Sequence, residues 1–193
     1  VPLAAALAGG PVIATPFPTG NSLADQLKLV ARMISTSSEV GAKRQVFFVS
    51  LGGFDNHDGL ASIHPGLLTS VAAAMSAFYN ATVELGVANQ VTSFTASDFG
   101  RTLTGNDGSD HGWGSMHFML GGAVNGRRFY GIAPIVANDG PDDVGQGRLL
   151  PSTSVDQYAA TLGKWFGISD MDLLTVLPNL ANWNANQRTL GFV

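Results

Sequence analysis

The chain has 193 residues, a net charge of −4 and no cysteine; that length can bury one substantial core, and the missing thiols exclude disulfides, thiolate catalysis and cysteine-type zinc sites. Charged residues are 12% of it, about half of the roughly 25% usual in globular proteins, and the scattered Lys and Arg exclude a nucleic-acid footprint and a polybasic membrane patch. With 24 glycines, turns and close backbone approaches must be frequent.

Residues 1–20 read as an extended or linker-like segment. The start at Val1, with no Met and no basic region ahead of Leu3-Ala4-Ala5-Ala6-Leu7, points to upstream sequence removed or missing. Ser22 is the expected start of the first helix, with Asp25 at capping-box distance and Leu23, Leu27, Val30 and Ile34 on one face, ending near Ser37 to Gly41. Val46 to Leu51 reads as a buried strand closed by Gly52-Gly53. Pro65 fits the first turn of a second helix, with Leu68, Val71, Met75, Phe78 and Leu85 as its buried stripe and Gly86 as its stop.

Val91 to Ala96 is the next strand and Met116 to Gly121 a further one, while Gly126 to Asp143 is irregular. Ser154 and Gln157 form a capping box for a third helix, with Val155, Tyr158, Leu162 and Trp165 or Phe166 as its apolar face before Gly167. A short helix over Met171 to Val176 stops before Pro178. Alternating strands and helices favour a layered α/β fold, one domain over 1–193 or a C-terminal fragment of one. No apolar stretch reads as long enough to cross a membrane.

Asp and His concentrate in three polar clusters, 53–58, 97–102 and 109–114, next to the strands, at what would be one edge of an open sheet. Asp55 and His57, two apart in a loop, offer a carboxylate and an imidazole to Zn²⁺, Mn²⁺ or a similar ion; alternatively Asp55 caps the following turn and His57 bonds to it. Asp98 can bind a metal and Arg101 can clamp an anion, or the two can pair and staple their loop. Asp110 stands beside His111, an arrangement that can fix the tautomer of a metal-bound imidazole or simply close a turn. His64 reads as a helix-start residue, His117 as a core histidine and Trp113 as packing or a pocket wall. The G-x-S-x-G, P-loop and G-x-G-x-x-G motifs are all missing, which leaves serine-hydrolase, nucleotide-phosphate and dinucleotide readings, and with them any organic cofactor, without a signature.

Four stretches, V-F-F-V-S-L-G-G-F-D-N-H-D, V-T-S-F-T-A-S-D-F-G-R-T, S-D-H-G-W-G-S-M-H-F-M-L-G-G and L-P-S-T-S-V-D-Q-Y-A-A-T-L-G-K-W-F-G, resemble in order and wording the domain-of-unknown-function 1501 family. That family is placed with the alkaline phosphatase and sulfatase superfamily. The resemblance therefore implies the C-terminal portion of a layered α/β/α sandwich, export to the periplasm or beyond, and metal-dependent hydrolysis of small anionic phosphate or sulfate esters. It implies Asp55 and His57 as ligands of one ion, Asp98 as a ligand of a second, and His111 returning to the first; zinc, manganese, iron or calcium would suit. Phe99 departs from the superfamily, which has a His directly after the second-metal Asp. The superfamily's early metal-binding Asp and its nucleophile lie in an N-terminal half that this chain lacks, so a separate fragment is the expected partner. The other expectation is a noncatalytic binding or assembly module at the cell surface that retains the fold.

Overall fold

The computed structural model describes residues 2–105 and 107–193, with Asn106 of the Gly105 to Gly108 loop outside them. The chain divides into two compact units, Val1–Ser93 with Leu120–Ala123, and Phe94–Met119 with Val124–Val193. Helices and small sheets make it a mixed α/β protein.

The first unit opens with α1, Leu3–Gly9, where the sequence suggested an extended segment. Ala6 is buried and Arg32 Nη2 donates to the Leu7 carbonyl at 2.9 Å, so tertiary partners hold a helix that has no side-chain cap. Next comes α2, Ser22–Ser35, capped by Asn21 rather than Ser22: Asn21 Oδ1 accepts from the N–H groups of Leu23 and Ala24, both at 3.1 Å. After α3, Ser37–Val40, Gly41 stops the chain in the left-handed region.

Helix α4 spans Leu60–Glu84, starting five residues before Pro65 instead of at it. Gly59, with φ of 62°, makes the turn that launches the helix, and Pro65 is carried inside. Ala74, Phe78 and Ala81 of α4 close against Leu23, Ala24, Leu27, Val30 and Ala31 of α2 to form the core. Small Ala side chains thus do much of the packing expected of larger residues, and Leu68 remains exposed. By length and composition alone α4 is apolar enough to cross a membrane, where the sequence suggested no such stretch, and its alanine face packs on α2.

Residues 46–51 lie on the same core through Phe47, Val49 and Leu51 but belong to no sheet. The strands are β1, Thr92–Phe94; β2, Gly100–Arg101; β3, His111–Gly112; and β4, Met119–Gly121. The first and last pair with each other where the chain passes from one unit to the other and back. In the second unit β2 runs antiparallel to β3, with Arg101 opposite His111. A Cβ on Gly112 would stand 2.7 Å from the Arg101 carbonyl oxygen, so this pairing requires glycine there.

The C-terminal part of the second unit carries α5, Val155–Phe166, and α6, Asp170–Val176. The expected capping box starts α5: Gln157 N–H donates to Ser154 Oγ at 3.1 Å and Ser154 N–H to Gln157 Oε1 at 3.0 Å. Ala160, Leu173 and Leu180 form its small apolar cluster. Polar ties supplement it: Thr161 Oγ1 donates to the Gln157 carbonyl and accepts from Leu190 N–H, both at 2.8 Å, and Gln157 Nε2 donates to the Gln187 carbonyl at 2.6 Å.

Candidate functional site

In the first unit, the segment 46–51 delivers the chain to Gly52-Gly53, and the left-handed φ of 93° at Gly53 turns it into the loop before α4. Asn56 N–H closes back on the Phe54 carbonyl at 3.0 Å. This tight loop sets Asp55 and His57 side by side, with Asp55 Oδ1 2.9 Å from His57 Nε2 and both side chains more than half exposed. Phe54, the residue before Asp55, makes an edge contact with His64, ring centres 5.9 Å apart. His64 therefore serves as an aromatic partner inside the first turns of α4.

A carboxylate oxygen and an imidazole nitrogen at that separation suit one divalent ion, because neighbouring donors around bonds of about 2.1 Å stand roughly 3 Å apart. The same distance is a hydrogen bond when a proton lies between them. The adjacent Asn56 Oδ1 is buried with no partner, so the loop also holds an unsatisfied amide oxygen.

In the second unit, Asp98 is exposed and forms no hydrogen bond or ion pair with any described residue. The Asp98 to Arg101 staple is not made. Arg101 instead gives Nη1 to the Ser109 carbonyl and lays its guanidinium over Phe99, 5.1 Å from the ring centre. Phe99 in turn stacks on His111, with ring centres 4.1 Å apart and planes 11° from parallel. Stacking occupies one imidazole face and sets the plane of the His111 ring, while the Phe99 ring itself offers no ligand atom. Nothing in sequence periodicity signals this contact.

The loop behind His111 is held by buried hydroxyls. Ser109 Oγ donates to the Thr102 carbonyl at 2.8 Å, and Thr102 and Asp110 exchange bonds, Thr102 N–H to the Asp110 carbonyl at 3.0 Å and Asp110 N–H to Thr102 Oγ1 at 3.2 Å. His117 packs among its neighbours: its Nδ1 lies 3.4 Å from Thr95 Oγ1, its ring stacks on Tyr158 at 5.8 Å, and burial lowers its pKa, which favours the neutral ring. Burial also pushes the Tyr158 hydroxyl up to about 12 while it donates to the Thr95 carbonyl at 3.1 Å. Trp113 is 68% exposed.

Asp55, His57 and His111 are each exposed and each offer one ligand atom. A divalent ion is thus chemically compatible with the donors this chain presents, two of them preset on one loop and the third oriented by Phe99. No curated protein matches the chain. No solved structure matches it either. Residues 16–177 match the family described as "Protein of unknown function (DUF1501)", and the chain belongs to that family.

Proposed function

We propose that the chain is the C-terminal part of an alkaline-phosphatase-like layered sandwich and contributes to metal-dependent hydrolysis of phosphate or sulfate esters in the periplasm or outside the cell. The observation that carries this reading is the exposed Asp55–His57 pair at 2.9 Å. Asp55 and His57 would hold one divalent ion together with His111, and Asp98 would serve a second. Such an ion, zinc, manganese, iron or calcium, would polarise the ester oxygen and lower the pKa of an attacking water.

The chain's own residues prepare that chemistry. Asp55 and His57 present two donor atoms from one loop, 2.9 Å apart. Phe99 holds the His111 plane, and Arg101 is the cation for the anionic ester. Ser97 Oγ donates to the Phe99 carbonyl at 2.9 Å and Ser109 Oγ to the Thr102 carbonyl, and by the resemblance the nucleophile would come from the partner fragment. The second reading, a noncatalytic surface module, draws on Phe99, which stands where the superfamily has a ligand.

Elemental analysis of the natural protein, with intact mass to reveal any partner fragment, should find near-stoichiometric divalent metal. Hydrolysis of p-nitrophenyl phosphate or sulfate should then fall at least about 100-fold in both His57→Ala and His111→Ala, the scale of a lost metal ligand. Full activity in both variants overturns the proposal, and metal-free protein without activity moves the assignment to the surface module.

A further inference from the structure

Residues 46–51 are an extended segment that pairs with no strand among the described residues. Their burial alternates with the period of two that an extended chain gives: Phe47, Val49 and Leu51 pack on the core of the first unit, while Val46 and Phe48 are 78% and 92% exposed. In a strand the N–H and C=O of one residue face one edge and those of the next face the other. Ser50 shows which edge is already served. Its N–H donates to Gln26 Oε1 at 3.0 Å and its carbonyl accepts from Gln26 Nε2 at 2.9 Å, so one side-chain amide occupies the place of a neighbouring strand's peptide.

Phe47, Val49 and Leu51 turn their backbone groups to the opposite edge, and none of these groups bonds to a described residue. Three donors and three acceptors, repeating every two residues or about 6.6 Å, are complementary to another polypeptide backbone rather than to a lipid or a featureless apolar surface. Lys43 and Arg44, both exposed, flank the N-terminal end and favour a carboxylate there.

We propose that this edge accepts an extended apolar strand from another polypeptide, carrying an acidic residue at the end beside Lys43 and Arg44, by strand addition. The site is independent of the metal reading, because none of its residues is a candidate ligand.

The test is amide hydrogen exchange on the ¹⁵N-labelled full chain with a synthetic eight-residue peptide of alternating Val and Thr bearing an Asp at one end. At saturation, exchange at Phe47, Val49 and Leu51 should slow at least tenfold, with Val46 and Phe48 little changed. Reversing the charge at Lys43 and Arg44 to Glu should weaken binding of this peptide at least threefold, and a Lys-ended peptide should recover it. Unchanged exchange overturns the proposal. Equal protection by a peptide N-methylated at alternate residues overturns it by showing apolar contact alone. Protection without peptide that grows with protein concentration overturns it by making a second copy the occupant.

Discussion

In the first unit, α2 and α4 meet through Leu23, Leu27, Val30 and Phe78 interleaved with alanines, with Thr36 and Thr82 its buried polar side chains, whereas the second unit has a smaller apolar cluster of Ala160, Leu173 and Leu180 and buries four polar side chains, Thr102, Ser109, Gln157 and Thr161. Apolar burial is non-directional and fixes a volume; hydrogen bonds fix orientation. The difference matches what each unit must hold. As the proposed ligands, Asp55 and His57 need only a loop anchored to a firm base, while His111 needs its ring plane set, which Phe99 and the bonds of Thr102 with Ser109 and Asp110 provide.

The comparison breaks most readily at Phe78, which is 3% exposed. Phe78→Ala should cost about 3 to 5 kcal/mol in urea unfolding, with amide exchange accelerated first in α2 and α4. A cost below about 1 kcal/mol would show that the first unit does not rest on this core.

For the second unit the corresponding change is Thr161→Val, which keeps the shape and strands the Leu190 N–H. About 1 to 3 kcal/mol should be lost, and Thr161→Ser should restore most of it. If valine is neutral, the polar network is not what orders this unit, and the contrast between the two collapses. A smaller effect belongs to Ser154→Ala, about 1 kcal/mol from one lost cap, seen as faster exchange in the first turn of α5.

Where the chain's chemistry is local, it was legible in sequence. Ser154 and Gln157 announced the start of α5, and the two-residue spacing of Asp55 and His57 announced their pairing, because both depend on neighbours within a turn. The start of α4 was misplaced because Pro65 suits a first turn, while Gly59 could supply a turn with positive φ that no pattern marks. The segment 46–51 was legible as extended from its apolar run, but strand pairing depends on a partner that the run does not encode. Phe99 on His111 and Arg101 on Phe99 join residues across a loop without periodicity, so composition could only place them near one another.

The smallest effect is electrostatic and touches the segment ahead of α2. Glu84, in the last turn of α4, accepts from Ala14 N–H at 2.7 Å and Thr15 N–H at 2.8 Å, and from the Thr15 hydroxyl. The Thr15 hydroxyl first, and then the two N–H groups, hold the Glu84 pKa below its ordinary 4.5. A lowered carboxylate pKa contributes stability that is present above the unfolded value and lost as pH falls through the folded one. The tie should therefore hold at neutral pH and release only in acid below 4.5. The amide shifts of Ala14 and Thr15 should titrate together with a midpoint under that value, and Glu84→Gln should abolish the titration. A midpoint at or above the ordinary value would mean that the carboxylate is not held by these donors in solution, and that residues 14 and 15 are anchored by apolar contacts of the α2–α4 core alone.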